Sequence, residues 1–317
     1  MKWKKIGKIF DPRKFTLPRG CSCFAQSPQV LVFDDFVRVY FSSRELESSG
    51  MYVSHVAWVD FDKEFQCVLK VSPEVVIERG QLGCFDEHGI FPISPLRYRD
   101  RIIAYTTGWS RRVSVSVETA IGMVESYDGG ATFERLGHGP VLSASLNEPF
   151  LVGDGFVRLE KEVFHMWYIY GTNWKCFDKE SPPDRVYKIG HATSMDGVSW
   201  QKREACQIIP DRIGVDESQA LPSVLKVGSR WHMVFCYRHS DDFRKNADRG
   251  YKLGYAWSDD LCNWFRDDDS FGMGLSEAGW DSEMMCYPHL FEIDGRIYLL
   301  YNGNSFGRDG FGLALLQ

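Results

Sequence analysis

The chain has 317 residues, 25% of them charged and 44% hydrophobic, with a formal net charge of −6. That length allows a sizeable core and one to three domains, and the negative balance gives no global electrostatic support for a nucleic-acid or anionic-membrane partner. No apolar run reaches the ~18 residues of a membrane span; the start MKWKKIGKIFDPRKF has no apolar signal stretch, and nine cysteines without a C-x-x-C pair suit a reducing, cytoplasmic setting.

In chain order, the segment MKWKKIGKIFD is a lone β-like stretch, and after it a repeat begins. Residues 27–44 (SPQVLVFDDFVRVYFSSR) read as a hairpin: a proline, an apolar run, a polar turn, then an aromatic-rich strand. The same pattern returns at 94–109, 148–172, 221–238 and 287–303, with turn residues such as Gly228-Ser229 and Asp294-Gly295. A second apolar strand carrying a Gly or His follows each hairpin, at 52–62, 118–130, 187–197, 251–260 and 310–316. Three of these run into Ser-x-Asp turns, SYDGGATF, SMDGVSW and SDDLCNW, in which Asp128, Asp196 and Asp260 cap a turn and the Phe or Trp plugs the gap between sheets. The polar segments 173–186 and 239–250 read as loops over one face.

Five copies of a hairpin plus an outer strand define an all-β fold, a five-bladed β-propeller of four-stranded antiparallel blades. The fifth copy ends at Gln317 before an outer strand of its own, so the N-terminal strand is expected to supply it and close the ring. Residues 1–317 are expected to form a single domain.

In such a ring the innermost strands line a channel, so the residues at or just before each proline, with His289 directly after Pro288, are the candidates for chemistry. They are Gln26 in the first copy; Asp86, Glu87 and His88 in the second; Asn147 and Glu148 in the third. The fourth has Asp216, Glu217 and Gln219, and the fifth Trp280, Asp281, Glu283 and His289. Repeated carboxylates beside a channel are costly unless paired or used. Crowded together, they would push their pKa values apart, leaving one to act as an acid and another as a base.

With these repeats and turns in place, the chain resembles the five-bladed propeller glycosidases, the arabinanase, xylosidase, invertase and mannoside-phosphorylase type. It is nearest to members associated with bacterial surface-polysaccharide gene clusters. The resemblance implies a glycoside-active enzyme with Asp86 orienting a general acid, and Glu148 or Glu217 as that acid. It departs from the family at the first blade, where Gln26 cannot abstract a proton. Three readings follow: another carboxylate, Asp86, Glu87 or Asp281, replaces the base; phosphate itself is the nucleophile, as in a phosphorylase; or the propeller binds or modifies a sugar or sugar nucleotide without hydrolysis. The expected substrate contacts are Gln26, His88, Trp109, Arg111, Arg112, Asn147, Arg185, Gln219, Arg238, Trp280, Asp281, Glu283 and His289. The arginines suit an anion because a guanidinium binds oxyanions through two parallel hydrogen bonds; Arg44 and Arg249 share that potential, and RVYKIG (185–190) is related by the repeat to RGYKLG (249–254). No cofactor is expected, although the resemblance allows a channel calcium beside His289. The expected partner is a carbohydrate or sugar-nucleotide ligand, with no nucleic acid and no membrane.

Overall fold

β-Branched and aromatic residues alternating between tight turns drive the chain into hairpins, and twenty strands form in the computed structural model, which describes residues 1–177 and 182–317. β1 (Trp3–Phe10) stands alone in sequence. The first sheet follows as β2 (Gln26–Val32), β3 (Val37–Leu46), β4 (Tyr52–Phe61) and β5 (Val68–Val71). The second is β6 (Ile90–Tyr98), β7 (Arg101–Arg111), β8 (Val117–Ser126) and β9 (Glu134–Arg135). The third is β10 (Val152–Glu160), β11 (Val163–Lys175), β12 (Asp184–Ser194) and β13 (Gln201–Lys202). The fourth is β14 (Glu217–Val227), β15 (Arg230–His239), β16 (Lys252–Ser258) and β17 (Phe265–Arg266). β18 (Cys286–Ile293), β19 (Arg296–Asn302) and β20 (Phe311–Leu316) complete the series, and β1 pairs antiparallel with β20 as the fourth strand of the fifth sheet.

The protein is therefore a five-bladed β-propeller, closed by its N-terminal strand. The first strands of neighbouring sheets touch all the way round, β2 with β6, β6 with β10, β10 with β14, β14 with β18 and β18 with β2, so they surround the axis. β2 and β14 are buried on both faces for most of their length. The short outer strands β9, β13 and β17 are half-buried or exposed.

Apolar cores fill the gaps between blades. One joins Tyr40 and Val56 of the first sheet to Ile102 and Phe133 of the second, and another joins Tyr105 to Tyr168 and Ala192 of the third. The Ser-x-Asp turns serve these gaps. Asp128 accepts hydrogen bonds from the amides of Ala131 and Thr132, Asp196 from Val198 and Ser199, and Asp260 from Cys262 and Asn263. Each turn then delivers an aromatic ring to the preceding sheet: Phe133 to Tyr40 at 5.8 Å, Trp200 to Tyr105 at 5.5 Å and Trp264 to Trp167 at 6.0 Å between centroids.

Every innermost strand carries a register shift at the same place, two residues of the first strand standing unopposed by the second. They are Ser27-Pro28, Phe91-Pro92, Asp154-Gly155, Leu221-Pro222 and Tyr287-Pro288. Ser27, Asp154, Leu221 and Tyr287 take φ values of 53°, 52°, 46° and 55°. Non-glycine residues rarely adopt that left-handed region, and bulges of this sort re-aim a side chain.

Candidate active site in the central cavity

Four of the acids near the start of the innermost strands, one each in the second to fifth sheets, have one thing in common: each clasps a cation on the outermost strand of its own sheet. Asp86 accepts from Nε of Arg135 on β9 at 3.0 Å, and Glu148 pairs with Lys202 on β13 at 2.9 Å. Glu217 pairs with Arg266 on β17 at 2.6 Å, and Asp281 with Lys5 on β1 at 2.7 Å. Three of the four carboxylates are bonded locally as well, whereas Oδ1 of Asp86 is buried without a partner among the described residues. Glu148 accepts the Tyr168 hydroxyl and the Ala205 amide, Glu217 the amides of Arg212 and Ile213, and Asp281 the Tyr301 hydroxyl. Their recurrence thus follows the repeat of the sheets. The structure does not bring Asp86, Glu148 and Glu217 together, and none of them lines the central cavity.

That cavity, of about 300 Å³, opens at the end of the ring where the second strand of each sheet gives way to the third. Asp154 is the one carboxylate lining it among the described residues. The bulge in β10 turns its side chain toward the axis, where Phe91 and Tyr287 from the equivalent bulges also stand. Its amide donates to Oγ1 of Thr107 at 2.7 Å, and Oδ2 accepts the Leu221 amide at 3.3 Å. Burial pushes the Asp154 carboxyl up to about 7, against the smaller downward pull of the Leu221 amide and the Arg185 charge. A carboxyl that titrates there exchanges a proton near neutrality.

Around it the wall is cationic and aromatic. Arg44, Arg185, Arg238 and Arg244 all line the cavity, with Tyr187, Tyr251 and Tyr287. Arg238 is buried; its guanidinium lies 3.5 Å over the Phe243 ring and donates to the Tyr187 hydroxyl at 3.1 Å. Tyr187 and Tyr251 are hydrogen-bonded to each other through their hydroxyls. Burial raises the Tyr251 phenol well above its ordinary value, so it remains a neutral donor.

Of the residues expected from the sequence, Trp109, Arg185 and Arg238 line the cavity. Gln26 lies beside it: Oε1 holds Nε of Arg44 at 2.9 Å, and its amide donates to the Phe306 carbonyl. By register Gln26 matches Ala220 and Cys286 at the start of the bulge, not the clasping acids. His88 stacks on Trp109 with centroids 5.5 Å apart, and faces a separate hollow lined by Glu47, Glu78 and Glu87. Arg111 donates to the Tyr52 carbonyl at 2.6 Å, and Arg112 is paired with Glu118 at the surface. Asn147 donates to Glu204, and the buried Gln219 donates to Glu217. Trp280 stacks on Tyr301 at 5.0 Å and covers Gly312, where an added Cβ would stand 2.4 Å from the indole. Glu283 is exposed.

His289 does not fit a calcium site. Its Nε2 accepts the Val30 amide at 3.2 Å, its ring neighbours are Phe156 and Phe291, and burial lowers it to about 3. Among the described residues no group of three His, Cys, Asp or Glu side chains stands together in a metal-binding arrangement.

Asp154, Arg244, Phe243 and the tyrosines escaped sequence reasoning. Pro149 marks the third copy in sequence, yet the bulge lies at Asp154-Gly155, where glycine replaces the proline. A signal was present: Gly155 precedes the turn at Lys161 by the interval that separates Pro222 from Gly228 and Pro288 from Asp294. Tyr187 and Tyr251 occupy one position of the RVYKIG and RGYKLG repeat. Side chains alternate along a strand, and the neighbouring Lys188 turns the other way, to Asp211 and the Glu217 carbonyl.

No protein-family profile matches the chain. The fold is shared with solved structures: a glycoside hydrolase superimposes with a TM-score of 0.74 at 16% identity, covering 99% of this chain and 92% of that one. A putative glycosidase from Bacteroides thetaiotaomicron gives 0.66 at 14% identity, covering 99% and 96%. A local similarity, 26% identity over 140 residues, covers 41% of this chain and 43% of the β-1,2-mannobiose phosphorylase of Thermoanaerobacter sp.. The chain belongs to the family of the uncharacterised proteins Rv1502 and MT1551 of Mycobacterium tuberculosis, to which it is 31% identical over 318 residues, across 100% of both chains.

Proposed function

We propose that this protein is a glycosidase-like enzyme that takes a saccharide into the central cavity and acts on its glycosidic bond, with Asp154 as the general acid. The observation that carries this reading is a lone carboxyl, aimed into an aromatic-walled cavity by a bulge and raised to about 7. About half protonated at pH 7, it can donate to a leaving-group oxygen. Trp109 and Phe91 offer flat apolar faces to a sugar ring. The propeller fold it shares with glycoside hydrolases supports the class.

Cleavage by two carboxyl groups needs a second one facing the bond. Among the described residues the cavity contains none. A second reading therefore has support: phosphorolysis, in which phosphate supplies the nucleophile and no enzymic base is required. The cavity arginines and the local similarity to a mannobiose phosphorylase favour it.

Both readings are tested by assaying Asp154→Asn against a panel of aryl glycosides, with and without phosphate. The expected result is a fall in kcat/KM of about 100-fold or more, and loss of wild-type activity as pH rises through about 7. Undiminished turnover by the folded variant removes Asp154 from the chemistry. Sugar release that needs phosphate selects phosphorolysis.

A further inference from the structure

Resting on the reading of the cavity as a saccharide site, we infer that its substrate carries a negative charge: a sugar bearing an oxyanion, either a carboxylate or a phosphoryl group. Among the described residues the cavity holds more fixed positive charge than it neutralises. Four guanidinium groups line it against the single carboxylate of Asp154. Among the described residues only Asp184 brings a carboxylate within 4 Å of any of the four, at 3.8 Å from Arg238.

Arg44, Arg185 and Arg244 have no such counter-ion among the described residues, yet each side chain has a partner that positions it. Arg44 is gripped through Nε by Gln26, and its plane lies 4.5 Å over Phe24. Arg185 is tied by Nη1 to Ser116 Oγ at 3.2 Å, and Arg244 stacks 4.3 Å over Phe243. Burial lowers the Arg44 guanidinium, and the positive charge of Arg244 lowers it further, so the two groups repel each other across the site. Like charges held close in a half-buried pocket cost stability unless a ligand repays it. Each guanidinium keeps N–H donors without a protein acceptor among the described residues, and a planar oxyanion would accept from them in pairs. The cavity-lining tyrosines Tyr187, Tyr251 and Tyr287 supply further polar edges for sugar hydroxyls, which an isolated phosphate would not use.

The test is isothermal titration of the intact protein with matched sugars: methyl glucoside, glucuronate, galacturonate, glucose 1-phosphate and glucose 6-phosphate, with inorganic phosphate as a separate arm. At least one charged sugar is expected to bind about 10- to 100-fold tighter than its neutral counterpart, more weakly as salt rises, and about 10-fold or more weaker in Arg44→Gln and Arg244→Gln. The uronates and the sugar phosphates distinguish a carboxylate from a phosphoryl ligand. Arg244 is exposed, so its variant is expected to fold; an unchanged melting temperature without ligand checks this. Equal affinity for neutral and charged sugars, or unchanged affinity in both arginine variants, overturns the charged-substrate inference and leaves the saccharide reading standing. Inorganic phosphate binding as tightly as any charged sugar also overturns it, in favour of phosphate as co-substrate. Failure of all the probes to bind overturns the inference and the saccharide reading together.

Discussion

Asp154 owes its properties to where a bulge has put it. Its carboxyl moves from an ordinary 3.8 to about 7 because burial penalises the charged form more than one amide and a neighbouring arginine favour it. Between those two values the folded protein retains a proton that the unfolded chain has released. The stability this confers is complete below about pH 4 and is lost as pH rises through about 7. Asp154→Asn lacks the titrating group, so the difference in unfolding free energy, wild type minus variant, is expected to fall by up to about 4 kcal/mol over that span. Urea denaturation of both proteins at pH 4.5 and pH 8 measures it; a difference independent of pH would place the carboxyl back near its ordinary value. In sequence Asp154 is one acid in a VGDGF run, and with glycine in the place of proline only the spacing from Gly155 to the turn at Lys161 marks its bulge.

At the level of the strand, the repeat explains why acids recur where they do. A two-residue outer strand such as β13 makes few ladder hydrogen bonds, and the buried pair of Glu148 with Lys202 ties it to the start of its own sheet. Glu148 is fully buried and Lys202 nearly so. Glu148→Ala would leave the ammonium buried without its partner and is expected to cost about 3–5 kcal/mol, read as a lower urea midpoint. The activity of the folded fraction should be retained. A loss of activity without a loss of stability would instead put Glu148 in the chemistry. The hairpins, their turns and the plugging aromatics were legible in the sequence, since strand period and turn chemistry are local properties. The register of the innermost strands was not: proline spacing aligns Gln26 with the clasping acids, whereas pairing across the sheet aligns it with Ala220.

For the molecule as a whole, closure of the ring is what completes the fifth sheet and covers the edge of its third strand. β1 covers β20, and Phe10 packs in the gap to the first sheet against Phe41, Phe61 and Phe311. Deleting residues 1–10 should open that edge and expose the core beside it. The expected outcome is concentration-dependent association in light scattering together with a lower melting temperature; a monomeric variant of unchanged stability would show that closure contributes little. The sequence alone determined the number of blades, their strand order and the strand that closes them, because each repeat states its own hydrophobic period and turns. Only the tertiary structure decided which side chains meet at the axis. Three of the five bulges, far apart in the chain, bring Phe91, Asp154 and Tyr287 to one cavity, and a shift of one or two residues at a bulge changes which side chain faces it. So the acids that recur most visibly stand in the outer clasps, while a single aspartate and four arginines from separate blades and loops form the site.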